Sequence, residues 1–289
     1  MKAILLLLTL SCFTCCAFTQ AVPNKADDLK FDQRFTNCER KWVVISKADT
    51  AASYTFGYIY INEQAGFTFD LQGVFTVDNS GNYIKDTVVF KNSGSIKYRI
   101  SPNWRVVALL PESHFKELHI EAQPEWVKNY YNYTDTVAHN YRWGWIYNDL
   151  NESGKALTYL LPANQAKPHM SNIEFEIAFA YNVLKRYNDA VILLEDAIKN
   201  NPDFGSFYKE LGYAYLKLSD YKKAIPVFIK AIEMNKDKQS ETRGELAINL
   251  AAAYKNSGDN DNYNTWMKKA KEYTPVDSPF YKLIADAGF

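Results

Sequence analysis

Two hydrophobic patterns divide the chain. From about Val137 onward, apolar residues return at the i, i+3, i+4 spacing of a helix with one buried stripe. That pattern also recurs at a longer interval. Arg142-Trp143-Gly144-Trp145-Ile146-Tyr147 aligns with Glu176-Ile177-Ala178-Phe179-Ala180-Tyr181 and with Glu210-Leu211-Gly212-Tyr213-Ala214-Tyr215, each block starting 34 residues after the one before. The same offset joins Ala156, Ala190 and Ala224, then Leu160, Leu194 and Phe228, then Ala163, Ala197 and Ala231. Pro168 and Pro202 close the first two units, because proline lacks an N–H and excludes helical geometry from the residue before it. A fourth set, Leu250, Ala251, Tyr254, Met267, Ala270 and Pro275, keeps the internal spacing but is displaced by five residues around Gln239 to Arg243.

Residues 40–120 follow a different rule. Trp42 to Ile45, Tyr54 to Ile61, Gly66 to Leu71, Gly73 to Val77, Thr87 to Phe90, Ile96 to Ile100 and Arg105 to Leu110 are short runs rich in β-branched and aromatic residues. Turn clusters such as Asn79-Ser80-Gly81-Asn82 and Asn92-Ser93-Gly94 separate them. Tyr54 to Ile61 alternates as a half-buried strand should. The expectation is an antiparallel sheet of five to seven strands, packed against the first helices of the repeat.

With its 34-residue period and its order of aromatic–Leu–Gly–Tyr, then Ala, Phe, Ala and Pro, the second half resembles the tetratricopeptide repeat family over about 137–277. The expected fold class is therefore α+β in two parts: a small N-terminal antiparallel β-rich domain followed by a right-handed α-solenoid of four tetratricopeptide-like helical hairpins with a C-terminal capping helix. The expected division is a signal peptide at 1–21, the β-rich domain at 22–123 and a capping helix or linker at 124–136. Repeats follow at 137–170, 171–204, 205–238 and 244–276, with a terminal helix at 277–289. The whole arrangement is loosely similar to uncharacterised exported proteins of Bacteroidetes-type bacteria. Small residues recur because antiparallel helices approach closely only where side chains are short. On that argument Gly144 faces Ala156, Ala178 faces Ala190 and Gly212 faces Ala224. Tyr263 stands where the fourth unit needs a small residue, so that hairpin is expected to splay. Pro226 falls early in a second helix and is read as structural.

Composition adds a compartment and removes some partners. Of 289 residues, 47% are hydrophobic and 23% charged, an ordinary globular balance, and Lys+Arg equals Asp+Glu at 33 each. No net field draws the chain to nucleic acid. Lys2, the apolar run Ala3 to Leu10 and the small residues of Thr19-Gln20-Ala21 have the layout of a secretory signal, with Val22 as the mature start. The run is too short to span a membrane, so the expected product is soluble and either periplasmic or secreted. Cys12, Cys15 and Cys16 lie within that signal, leaving Cys38 without an internal disulfide partner. Lipidation of Cys12 after Leu10-Ser11 is the minority alternative.

Candidate chemistry is sparse. No metalloprotease helix, phosphate-cradling loop or nucleophile elbow is present. His114 and His119 are five apart, which separates them on a helix and on a strand, so no shared metal is expected. Neither catalytic residues nor a cofactor are expected. The resemblance implies instead that the first helix of each unit lines a concave surface. Carried onto this chain, that surface holds Tyr141, Trp145, Asn148 and Asp149, then Asn172, Phe175, Phe179 and Asn182, then Lys209, Tyr213 and Lys217, and finally Ile248, Lys255 and Asn256. Tyr141 and Trp145 occupy the leading positions of the family's carboxylate clamp, so a receptor for chain termini is disfavoured. The expected role is a non-enzymatic scaffold binding a protein or peptide within an envelope assembly. The rivals are a structural subunit whose β-domain does the recognition, an enzyme with its site in that domain, and an inner face filled by the sheet folding back over Trp145, Phe179 and Tyr213.

Overall fold

The computed structural model describes residues 29–86, 96–235 and 239–289. The signal segment, Cys12, the Thr87 to Phe90 run and the Asn92-Ser93-Gly94 turn lie outside these residues. Six strands form one antiparallel sheet: β1 (Lys41–Ile45), β2 (Tyr54–Asn62), β3 (Gly66–Val77), β4 (Tyr83–Lys85), β5 (Ile96–Arg99) and β6 (Val107–Leu109). Their order is β4-β3-β2-β1-β6, with β5 beside the other end of the same edge of β3. The two runs expected at 66–71 and 73–77 are a single strand. Phe56 pairs with Gly73 and Gly57 with Leu71, so Gln72 is an unpaired bulge residue and the sequence break there is a kink, not an end. Tyr83 to Lys85 adds a strand to the expected set. Only three residues long, β4 is fastened by side chains, with Glu117 accepting from Tyr83 N–H at 2.6 Å and His114 stacked on the Tyr83 ring at 3.7 Å.

The expectation of half-buried strands needs correction. Tyr58, Ile59, Tyr60 and Ile61 are all buried. The alternation is therefore aromatic on one face against aliphatic on the other. Trp42, Phe56, Tyr58, Tyr60 and Phe75 pack beneath the segment from Phe115 to Tyr131. Val43, Ile59, Ile61, Phe67 and Phe69 share a core with Trp143, Ile146, Tyr147 and Leu150 of the first helix.

Nine helices follow among the described residues: α1 (Thr136–Asp149), α2 (Ser153–Ala166), α3 (Ser171–Val183), α4 (Tyr187–Asn200), α5 (Gly205–Lys217), α6 (Tyr221–Met234), α7 (Glu241–Asn256), α8 (Asn260–Tyr273) and α9 (Pro279–Asp286). The first eight pair as four hairpins. Each hairpin turn holds one residue in left-handed backbone, at Asn151, Lys185, Ser219 and Gly258. This conformation closes a helix C-terminus and is disfavoured by any Cβ. The odd-numbered helices also touch one another along the array, whereas the even-numbered ones make no comparable contact. The stack is thus tight along its inner helices and open between its outer ones.

Three local expectations are revised. A Cβ on Gly144 would strike Leu160, and one on Gly212 would lie 2.7 Å from Phe228, so the nearest neighbour of each glycine is the bulky residue 16 positions on. The fourth hairpin does not splay: α7 and α8 make the most extensive helix–helix contact described, and half-buried Tyr263 turns to the Phe289 ring, 5.6 Å away. Residues 124–133 form no α-helical cap, although Tyr131 packs on Trp143 at 6.0 Å and Tyr133 stacks on His139 at 3.5 Å at the start of the array. Glu125–Tyr130 is a short 3-10 turn laid on the far side of the sheet, with Trp126 against Tyr58 and Tyr60 at 6.0 and 5.0 Å. The sheet itself covers the array's first hairpin, and α9 covers the last through buried Ile284.

Polar bonds lock this junction. Trp143 Nε1 and the Tyr147 hydroxyl donate to the two oxygens of Glu39, at 3.2 and 2.6 Å. Arg34 pairs with Glu152 at 2.8 Å and donates to the Leu150 carbonyl, while Lys155 donates to the Thr36 carbonyl. Cys38 is fully buried here, and burial pushes its thiol up to about 11, so it remains protonated.

Gly212→Ala should destabilise the protein by about 1–3 kcal/mol, because the added methyl meets the Phe228 ring in a closed interface. Urea titration checks this, and Gly205→Ala, where the nearest atom to a new Cβ is 3.6 Å away, is the control that should cost less.

Candidate functional site

The inner, odd-helix face is built by the 34-residue period, and the structure sorts the residues expected on it into three groups. Phe179, Asn182, Lys209 and Tyr213 come together around one pocket of about 250 Å3, whose lining also includes Val183, Glu210, Glu245 and Asn249. Phe179 and Tyr213 are half-buried, and Val183 at the mouth is 46% exposed, so the pocket has an apolar wall open to solvent. Lys217 stands over the Tyr213 ring at 5.1 Å.

A second group lies away from this pocket. Trp145 is half-buried beneath the Arg142 guanidinium at 4.5 Å, and Arg142 donates to the Glu63 carbonyl in the β2–β3 turn. Tyr141 lines a separate cavity of about 680 Å3 between that turn and the start of α1. Phe175 packs edge-on against Phe204 at 6.4 Å. Asn172 bonds to the N–H of Ile173, and Lys255 sits 4.8 Å above Tyr263. Asp149 pairs loosely with Arg99 at 3.8 Å, Ile248 is half-buried and Asn256 exposed. The aromatics absorbed by the sheet are Trp143 and Tyr147, one helical face round from Trp145.

The third group is corrected outright. Asn148 and Asn182 are each 4% exposed and present no amide to a ligand. Asn148 Nδ2 donates to the Glu176 carboxylate at 2.7 Å and to its carbonyl at 3.0 Å. Asn182 repeats the arrangement on Glu210 at 2.9 and 3.1 Å. Both are clamps between consecutive units. The signal was in the sequence: Glu176 and Glu210 stand 34 apart, each 28 residues after its asparagine. Leu216 and Asn249 occupy the equivalent positions at the next junction, so the clamp cannot form, and Lys209 instead reaches Glu245 across the interface at 2.7 Å.

Burial raises both Glu176 and Glu210 above the ordinary carboxyl range, with the asparagine bonds opposing it. The Oδ1 atoms of Asn148 and Asn182 are buried without a hydrogen-bond partner among the described residues. Beside this pair, the Lys209–Glu245 charges neutralise each other. The pocket therefore offers two aromatic faces and a paired charge, with no free nucleophile among its lining residues. Among the described residues no group of three or more His, Cys, Asp or Glu could hold a metal ion, and no helix is long and apolar enough to cross a membrane.

Residues 206–238 match the tetratricopeptide repeat family. Among solved structures the chain is similar to a thermophilic TPR protein of Thermus thermophilus, at 21% identity over 52% of this chain and 80% of that one, with a TM-score of 0.46. It is also similar to MamA of Desulfovibrio magneticus RS-1, at 17% identity over 53% of this chain and 91% of that one, with a TM-score of 0.45. No curated protein matches it in sequence.

A carboxyl raised in the folded state contributes most below its unfolded value, and that contribution is lost as pH rises through the folded value. Glu210→Gln should therefore gain stability relative to the natural chain as pH is raised from about 4 to 8, read as the difference in urea midpoints. Glu210→Ala, which leaves the Asn182 amide short of an acceptor, should cost about 1–3 kcal/mol.

Proposed function

From the premise that the helical half is a tetratricopeptide-repeat array, a protein–protein interaction fold, we propose that this chain is an exported, non-enzymatic scaffold that holds a protein or peptide partner in its inner face. The observation that carries this reading is the pocket of Phe179 and Tyr213. The N-terminal sheet shares its core with Trp143 and Tyr147, while Phe179 of α3 and Tyr213 of α5 stay half-exposed on the inner surface. That surface combines half-buried rings with backbone held rigid by buried clamps. A preformed receptor of this kind loses little entropy on binding, and aromatic rings supply contact area with few rotamers to freeze.

The partner we propose presents a bulky apolar side chain to the pocket, with backbone amides passing Lys209, Glu245 and Asn249. Its place is an envelope assembly, consistent with the signal-like layout of residues 1–21. The N-terminal sheet serves as the cover that terminates the array.

Phe179→Ala combined with Tyr213→Ala should lower partner recovery from envelope extract at least severalfold. The far-ultraviolet circular dichroism should remain that of the natural chain, since both rings are half-exposed. If the double variant recovers the same proteins in the same amounts, the inner face is not the receptor. If only deletion of the sheet segment abolishes recovery, recognition belongs to the sheet.

A further inference from the structure

The outer side of the array holds a groove that the inner-face reading leaves unused. Its floor is Tyr208, Leu211 and Tyr215 of α5, its walls are Ile198 of α4 and Pro226 with Val227 of α6, and it encloses about 760 Å3. The groove exists because α4 and α6 diverge where α3, α5 and α7 stay in contact. Curvature alone would make such a gap between every pair of outer helices, so equivalent positions of the neighbouring units separate scaffold from site.

The rim is what differs. Lys222 and Lys223 border the middle groove, but the matching positions are Asn188 and Asp189 one unit earlier and Asp261 and Asn262 one unit later. Floor and wall change with them. Where the middle groove has Tyr208 and Val227, the preceding one has buried Glu174 and Leu193, and the following one has Ala247 and Trp266. Helical spacing aligns the features: Lys222 with Pro226, and Lys223 with Val227, are i, i+4 pairs on one face of α6. Lys199 completes the rim from α4.

The acids nearby offset this charge only in part: among the lining residues, three lysines stand against Glu195 and Asp220. Glu195 is engaged by the Tyr215 hydroxyl. Asp220 accepts from the Lys223 backbone N–H as the helix cap and pairs with its ammonium at 3.7 Å. Lys199 has only an exposed contact with Asp196 at 3.9 Å, and pairs of that kind contribute little. Lys222 has no ion pair among the described residues. An apolar trough of this size with lysines on both banks is complementary to a segment carrying one bulky apolar side chain between carboxylates.

We propose that the outer groove between α4 and α6 is a second docking site, and that its occupant is an acidic partner segment. The segment would set one leucine, phenylalanine or tryptophan on Tyr208, Leu211 and Tyr215. Its flanking aspartates or glutamates would reach Lys199 on one bank and Lys222 and Lys223 on the other. The inner face is not involved, so two partners are held on opposite sides of one rigid stack.

The test is selection of a randomised peptide display library on the full chain. Labelled selected peptides are then titrated by fluorescence anisotropy against the natural chain, the Lys222→Glu/Lys223→Glu variant and the Phe179→Ala variant. The expected result is enrichment of Asp and Glu around a single large apolar residue. The charge-reversed variant should bind roughly tenfold or more weakly, on the order of two reversed surface charges, and Phe179→Ala should bind unchanged. Affinity should also fall as salt is raised. Both lysines are exposed, so the variant should keep its thermal midpoint. The proposal is overturned by a selection that returns no binder or no acidic enrichment, or by affinity that survives charge reversal. Loss of binding in Phe179→Ala alone would place the peptide on the inner face and would also overturn it.

Discussion

The structure depends on covering the first hairpin of the array. A stacked helical repeat buries each unit against the next, so its first unit has an apolar face with nothing before it. Here α1 presents Trp143, Ile146 and Tyr147 on that face, and the sheet takes them into a shared core with Val43, Ile59 and Phe67. Glu39 accepts from both the Trp143 indole and the Tyr147 hydroxyl, satisfying two donors that would otherwise be buried unpaired. Burial, with the Glu39 charge beside it, raises the Tyr147 phenol, so it remains a donor. The sheet is in turn sandwiched, since its other face is closed by the segment through Trp126 and Tyr130. Sheet and array stabilise each other through one core.

From that covered end the stack is propagated by two kinds of contact. Small residues of each first helix admit a bulky residue of the second, Gly144 to Leu160 and Gly212 to Phe228. Between units, Asn148 and Asn182 hold buried glutamates of the following helix. Buried amide–carboxyl pairs are costly when half-formed and rigidifying when satisfied, so these clamps define how one hairpin sits on the next. Where Leu216 and Asn249 break the series, the Lys209–Glu245 pair spans the interface. The five-residue displacement before α7 falls at the same junction. The inner pocket lies beside it, with Glu245 and Asn249 in its lining, whereas the outer groove lies one junction earlier, among α4, α5 and α6.

The sequence by itself determined the repeat, its period, the slip before the last unit and the presence of an antiparallel sheet ahead of it. These follow from side-chain spacing along a single element, which 3.6-residue and 2-residue periodicities report directly. It also placed Phe179, Lys209 and Tyr213 on one face. Tertiary structure alone decided which polar residues of that face are free. Asn148 and Asn182 have the same spacing as surface residues, but the adjoining helix brings a glutamate within hydrogen-bond distance of each and removes them from solvent. Tertiary structure also decided that Trp143 and Tyr147 are buried in the core shared with the sheet while Trp145 is only half-buried against it, and that Tyr54 to Ile61 is buried on both faces. A strand's alternation shows that its two faces differ; whether the second face meets water depends on residues seventy positions away, here Trp126 and Tyr130.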